Sequence, residues 1–295
     1  MTPPPSAPTF SLVIPTYNRP ERLQNCLRSI MQLDYPRDRF EVIVIDDGSS
    51  IPLNAVVAPF QKSLHLTLLR QQNAGPAAAR NAGATAAIGR FLVFTDDDCT
   101  LTPQHLHTLE KYCQQVPDHL IGGHTLNALP ENDCSTASQL LIDYLYHYYN
   151  IHHRPSFFAS NNFATPKAQF EKLGGFDTSF PLAAGEDREF CDRWLDHGYP
   201  MSYAPDVQIY HAHQLSLRTF WRQHFNYGRG AFCVRQMRAA RANNRIQVEP
   251  LSFYFNLLSY PFGRESVFRA AWLSGLLLLS QVANVVGFFV EKSRH

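Results

Sequence analysis

Asp96, Asp97 and Asp98 stand in a row at the end of an apolar run, Phe91 to Thr95. Three adjacent carboxylates repel one another, and burying them is costly unless a cation neutralises them. Two acids one residue apart can reach the same divalent ion. The same text also suits a solvated acidic turn or a cap for the helix that follows. His211 and His213 alternate after the strand-like stretch Val207 to Tyr210, so both fall on one face. Imidazole beside carboxylate suits Mn²⁺, although a lone histidine is more often a satisfied surface or core residue. Glu186 and Asp187 open an amphipathic segment whose apolar side is Phe190, Trp194 and Leu195. Acids there cap a helix and face its dipole; a fixed carboxylate in a cleft is also what a general base requires. Asp46 and Asp47 close a β-branched run before Gly48. They read as an ordinary turn or as acceptors for a nucleobase or ribose, with Tyr17 able to stack on the base.

The elements that must position these groups alternate. Phe10 to Ile14 is a strand ending at Pro15, and Pro20 opens a helix in which Leu23, Leu27, Ile30 and Met31 recur at helical spacing. Glu41 to Ile45 is a second strand, with the look of burial on both faces. Helix 55–62 and strand 64–69 follow, then an alanine-rich helix from Gly75-Pro76 through Ile88, stopped by Gly89. Its small residues suit close packing on a sheet; Arg80 and Asn81 are its polar members. Strand–helix alternation predicts a parallel α/β sheet, whose ligands sit outside the carboxyl ends of the strands. Pro15 to Asn18, Asp46-Asp47 and Asp96 to Asp98 all follow strand ends, so they are expected to converge on one crevice. After residue 100 the pattern is less regular. It predicts helices over 103–116, 135–150, from Glu186 onward and over 217–237, with 238–244 as a polar linker.

A chain of 295 residues, 45% hydrophobic, fits one sizeable domain with an appendage. A net charge of +1 argues against a nucleic-acid binder. The six cysteines form no CxxC pair, which suits reduced thiols rather than a zinc ribbon or a disulfide framework. Met1 to Pro8 is proline-rich, lacks an apolar core and reads as a disordered tail, not a secretory signal. Ala270 to Val290 carries no charge and reaches the length of a membrane span, flanked by Arg264 and Arg269 before it and Lys292 and Arg294 after it. Gln281 and Asn284 in its middle leave a monotopic helix or a buried core helix as alternatives.

Taken in order, five blocks resemble the family-2 glycosyltransferases of the GT-A fold: Ser11 to Arg19 (SLVIPTYNR), Val44 to Ser49 (VIDDGS), Asn73 to Gly83 (NAGPAAARNAG), Phe94 to Asp98 (FTDDD), and the closing pair Gly174 to Asp177 (GGFD) and Gly185 to Asp187 (GED). The likeness runs from about residue 10 to about 230. It implies an α/β GT-A-type domain with a mostly parallel, Rossmann-like sheet flanked by helices, followed by a C-terminal helical, partly hydrophobic appendage. The expected division is 1–8 tail, 9–100 nucleotide-sugar-binding half, 101–237 acceptor-binding and catalytic half, and 238–295 linker and membrane-associating helices.

The resemblance also implies roles. Asp47 is similar to the aspartate that reads the nucleobase, with Tyr17 beside it. Asp96 and Asp98 look like the outer pair of a DxD motif, Asp98 on a divalent metal (Mn²⁺ or Mg²⁺) and Asp96 on the donor's ribose or sugar. Asp187 looks like the catalytic base, Asn162 sits where the family places a residue near donor sugar or acceptor, and His211, with His213 in reserve, resembles a C-terminal metal ligand. The implied reaction is inverting, non-processive transfer of a hexose from a nucleotide-sugar, by default a UDP-sugar, to a saccharide or lipid-linked acceptor. The implied setting is the cytoplasmic side of the plasma membrane, in cell-envelope polysaccharide assembly, through a peripheral or single-pass C-terminal segment. Processive members carry QxxRW where this chain reads Gln223 to Tyr227 (QHFNY). The rivals are a nucleotidyltransferase acting on a sugar phosphate, which usually has a glycine-rich, lysine-bearing loop that 15–20 lacks, and a non-catalytic carbohydrate-binding protein. A nicotinamide dehydrogenase is disfavoured because no GxGxxG follows the first strand.

Overall fold

The computed structural model describes residues 7–151, 155–180, 184–242 and 249–295. The expected tail over residues 1–6 and the last two residues of the expected 238–244 linker lie outside them. Two compact units are present: Met1–Leu126, Pro155–Thr178 and Phe190–Ala212 form one, and Asn127–Arg154, Ser179–Glu189 and His213–His295 the other.

The first unit opens with strand β1 (Phe10–Thr16), buried along its whole length, and helix α1 (Pro20–Met31). Proline at the start of α1 lacks only an N–H that has no partner there, and Leu23, Leu27 and Ile30 turn one face to the sheet. Strand β2 (Phe40–Asp46), helix α2 (Asn54–Gln61), strand β3 (Leu66–Arg70), helix α3 (Pro76–Ala86) and strand β4 (Phe91–Thr95) follow as the alternation predicts. Helix α3 packs on β1 and β2 through Ala79 and Gly83; a Cβ at Gly83 would stand 2.5 Å from Val13 Cγ1 and 2.6 Å from Ile45 Cδ1. Only glycine allows that approach.

The later elements are β5 (Cys99–Leu101), α4 (His105–Gln115), β6 (Leu120–Asn127), α5 (Asp133–Tyr146), β7 (Asn162–Pro166), α6 (Lys167–Lys172), α7 (Glu186–Asp196) and β8 (Met201–His211). The eight strands make one sheet in the order β3-β2-β1-β4-β7-β6-β8-β5. The half containing β3, β2, β1 and β4 is parallel, as expected. The other half departs from a mostly parallel sheet: β7 runs antiparallel to β4 and to β6, and β5 antiparallel to β8. Short strands such as β5 and β7 carry too few residues to show a period, which is why 99–101 and 162–166 do not stand out in the sequence. One core lies between the sheet and helices α1, α2 and α4, among Leu12, Leu27, Val44 and Leu109. On β4, Phe94 meets Phe163, Phe170 and Phe176 at ring-centroid distances of 5.2 to 5.4 Å, so the GGFD block packs directly under the strand that delivers the aspartates.

The second unit is helical. It holds α5, α8 (Leu217–Ala242), α9 (Leu251–Ser259) and α10 (Val267–Lys292). Helix α8 continues past Met237 through part of the expected linker, since Ala239, Ala240 and the flanking Arg238 and Arg241 favour helix. Leu141, Tyr144, Phe253, Leu257 and Leu277 form one cluster of this unit, and the Tyr144 hydroxyl donates to the Phe253 carbonyl at 2.8 Å.

Candidate active site

The carboxyl ends of β1, β2 and β4 are knitted together by side chains. The Asp47 amide donates to the Thr16 carbonyl at 2.9 Å, and Thr16 Oγ1 donates to Asp97 Oδ2 at 2.7 Å. Asn18 takes φ 55°, a left-handed conformation that asparagine tolerates. There its amide donates to Ser49 Oγ and its Oδ1 accepts from the Ser50 amide, at 2.9 and 2.8 Å. Tyr17 is left 48% exposed beside this joint. Asp47 is buried and accepts from Gln71 Nε2 and the Ala74 amide on Oδ1 (2.7 and 2.9 Å) and from the Gly75 amide on Oδ2 (2.9 Å). Those amides lead into the N-terminus of α3, where a carboxylate is favoured.

The three aspartates point to three partners. Asp96 Oδ1 accepts from Arg80 Nη2 at 2.7 Å. Asp97 is buried against Thr16 and Arg19 Nη1 (3.2 Å); burial pushes its pKa up to about 6, against the pull of the Arg19 guanidinium. Asp98 accepts from Arg22 Nη1 at 2.8 Å, has Arg19 at 3.6 Å, and places Oδ1 3.1 Å from His211 Nε2. The last contact follows from the register of β5 with β8, in which Cys99 stands opposite His211 and the Ala212 amide donates to the Asp98 carbonyl at 2.8 Å. Burial alone would lower the His211 pKa; the hydrogen bond and charge of Asp98 outweigh it and the net shift is upward.

Ligand atoms of Asp98, His211 and Cys99 lie within 4.8 Å of one another. A carboxylate oxygen from the turn that enters β5 and an imidazole nitrogen from the end of β8, at that separation, fit a divalent cation of the Mn²⁺ or Mg²⁺ kind. Asn162 stands opposite Thr95 in the β4–β7 ladder, buried, with Nδ2 donating to the His124 and Val207 carbonyls at 3.1 and 3.0 Å. Asp187 lies in the first turn of α7, in a segment of the second unit, where its Oδ1 accepts from the Arg188 amide at 2.7 Å. His213 also belongs to that unit.

The profile of Glycosyl transferase family 2 matches residues 11–174, more than half of the chain. The chain belongs to this family. Among relatives, glycosyltransferase AglE of Haloferax volcanii is 28% identical over 207 residues, covering 68% of this chain and 66% of that protein. The matched stretch spans between about half and two thirds of the length of such relatives. Among solved structures, the mannosyltransferase PcManGT of Pyrobaculum calidifontis, in complex with GDP-Man and Mn²⁺, superposes with a TM-score of 0.64 at 19% identity, over 95% of this chain and 88% of that one. The 1–349 portion of TarS from S. aureus, in complex with UDP-GlcNAc, gives 0.57 at 17% identity, over 97% and 91%. These likenesses establish the GT-A fold.

The family match contains Tyr17, Asp47, Asp96, Asp98 and Asn162, while Asp187 and His211 lie beyond its end. Around the family's aspartates stand residues to which the sequence assigned no definite role. Thr16, Arg19, Arg22 and Asp97 form the joint just described. Arg80 is buried, its guanidinium 5.8 Å above the Phe176 ring, and it holds Asp96. Asn81 exchanges two hydrogen bonds with the Phe176 backbone, both 2.8 Å, so it fastens the GGFD block to α3. The one available signal was a charged and an amide side chain in the middle of an otherwise small-residue helix.

Proposed function

We propose that this chain is an inverting, non-processive glycosyltransferase that moves a sugar from a nucleotide-sugar donor to an acceptor hydroxyl. The observation that carries the reading is the Asp98–His211 pair, 3.1 Å apart at the carboxyl end of the sheet, beside the strand ends bearing the family's other aspartates. Asp47 and Tyr17 take the nucleobase, Asp96 the ribose or sugar, and Asn162 the neighbourhood of the transferred sugar. A divalent cation on Asp98 and His211 would supply Lewis-acid neutralisation of the diphosphate leaving group. Asp187 accepts the acceptor's proton as its oxygen attacks the anomeric carbon, and one displacement inverts that carbon. UDP is the default nucleotide, in keeping with the UDP-GlcNAc bound to TarS; the GDP-Man and Mn²⁺ of PcManGT support the same class of donor and cofactor.

The working division is 9–100 for the donor, 101–237 for acceptor and chemistry, and 238–295 for membrane contact. Absence of Arg and Trp from 223–227 supports single additions. Helix α10 is long and apolar enough to cross a membrane by length and composition. This supports contact with a membrane; the acceptor placed there in this reading is a saccharide or lipid-linked one at the cytoplasmic face of the plasma membrane, in envelope polysaccharide assembly.

A panel of nucleotide-sugars with Mn²⁺, read by donor hydrolysis and thermal shift, tests the donor class. Release of a nucleoside diphosphate is expected; release of pyrophosphate in a parallel assay that supplies a nucleoside triphosphate and a sugar 1-phosphate would make the chain a nucleotidyltransferase. Asp187→Asn is expected to keep donor binding and lose about 10²–10⁴ in transfer rate; near-normal turnover removes Asp187 as the base.

A further inference from the structure

Helix α10 has two unlike faces. One is packed: Ala270, Leu273, Leu277 and Ala283 are buried, and α10 comes so close to α8 that a Cβ at Gly228 would overlap the Asn284 carbonyl oxygen and one at Gly287 that of Phe225. The same side meets charge, because Arg229 Nε donates to the buried Glu291 at 2.5 Å and the Arg235 guanidinium lies 5.1 Å over the Phe288 ring. The other face is bare. Phe268, Trp272, Leu278, Val282, Val285 and Phe289 recur at helical spacing, three or four residues apart save for one step of six across Gly275, and are 46 to 91% exposed. From Phe268 to Phe289 this stripe runs ~32 Å along the helix. Helix α9 adds Leu251 and Phe255, one turn apart and 82 and 79% exposed.

Single apolar residues on a surface are ordinary, but a continuous stripe of this length marks an interaction face. A helix surrounded by lipid is apolar on every side. Helix α10 meets that condition by composition over most of its length, but the α8 it leans on carries Arg218, Arg222, Arg229, Arg235, Arg238 and Arg241. Carrying α10 through the hydrocarbon would draw those guanidiniums in with it. Lying in the interface avoids this: the stripe enters the acyl region and α8 stays on the polar side. Charge at the two ends agrees. Between residues 250 and 295 the acids are Glu265, facing Arg269 at 3.7 Å, and Glu291, held by Arg229, whereas Arg264, Lys292 and Arg294 are exposed. A basic rim around an apolar stripe complements anionic headgroups.

We infer that α10 docks lengthwise in the plane of an anionic phospholipid surface, with its Phe268-to-Phe289 stripe among the acyl chains, and does not cross the bilayer. This rests on the membrane placement of the proposed function and is independent of its chemistry. The full chain is expected to float with phosphatidylcholine vesicles that contain phosphatidylglycerol and far less with phosphatidylcholine alone. Leu278→Asp with Val282→Asp is expected to lower vesicle binding by roughly tenfold or more per residue, the scale of losing a buried aliphatic side chain, while donor hydrolysis persists. Cysteines introduced as Ser266→Cys and as Ser293→Cys, in a Cys233→Ser background, are expected to react with an impermeant maleimide from the same side of sealed membrane vesicles. Labelling of the two ends from opposite sides would establish a span and overturn the inference. So would absence from vesicles, or a dimer in sedimentation that the two aspartates dissolve. Loss of donor hydrolysis with intact vesicle binding would instead strike at the proposed chemistry.

Discussion

Arg80 is the side chain whose removal most directly separates positioning from contact. It is buried, and its bond to Asp96 Oδ1 is the one hydrogen bond described for that carboxylate. Arg80→Ala is expected to weaken donor binding by about 1–3 kcal/mol, the range for a hydrogen bond to a charged group, read as a roughly fivefold to hundredfold rise in donor Kd. Its effect on cation affinity is expected to be small, because Asp98 has other partners. Asp98→Asn and His211→Ala are expected to do the reverse, lowering Mn²⁺ affinity in a direct titration more than nucleotide affinity without metal. These residues differ in legibility. Asp96, Asp98 and His211 could be singled out because carboxylates and imidazoles are scarce at strand ends and carry chemistry. Arg19 and Arg22 could not, since arginine at the start of a helix is common and nothing in the spacing reveals which acid it meets; Arg80 stood out in its small-residue helix, but not the acid it holds.

At the level of elements, α3 links the parts of the site. The Ala74 and Gly75 amides just before its first turn hold Asp47, and its middle holds Asp96 through Arg80 and the Phe176 backbone through Asn81. Gly83→Val would force α3 away from Val13 and Ile45. The expected cost is about 1–3 kcal/mol of stability from overpacking, measured by urea unfolding, together with a weaker donor Kd. Two buried histidines set an acid limit on their elements. Burial lowers His105 of α4 to about 4 and His224 of α8 to about 3. Below the ordinary histidine value the unfolded chain takes up protons that the folded one refuses. Stability is therefore full above about pH 6.5 and falls as pH drops towards those lowered values, by about 1.4 kcal/mol per pH unit for each histidine. His224→Phe is expected to flatten that decline by about one proton, read from urea midpoints between about pH 7 and about pH 5. The alternation of β1 to β4 with α1 to α3 was legible because long periodic segments declare themselves. The strands β5, β6 and β7 were not, because each is short or lacks alternation and is fixed by its neighbours.

For the whole molecule, transfer is expected to stop in excess chelator and to return with Mn²⁺ or Mg²⁺; full activity without a free divalent ion would take the cation out of the reaction. What the sequence alone determined was the family, the GT-A class of fold and the roster of acids and imidazoles, because ordered blocks of distinctive residues survive as text. It also announced an apolar C-terminal helix. Only the tertiary structure decided that Asp98 faces His211 across the β5–β8 ladder, that Asp97 turns away toward Thr16 and Arg19, and that α10 buries one face against an arginine-bearing helix while leaving the other bare. Those outcomes depend on strand register and helix rotation. Both are settled by contacts between residues far apart along the chain, and no local pattern records them.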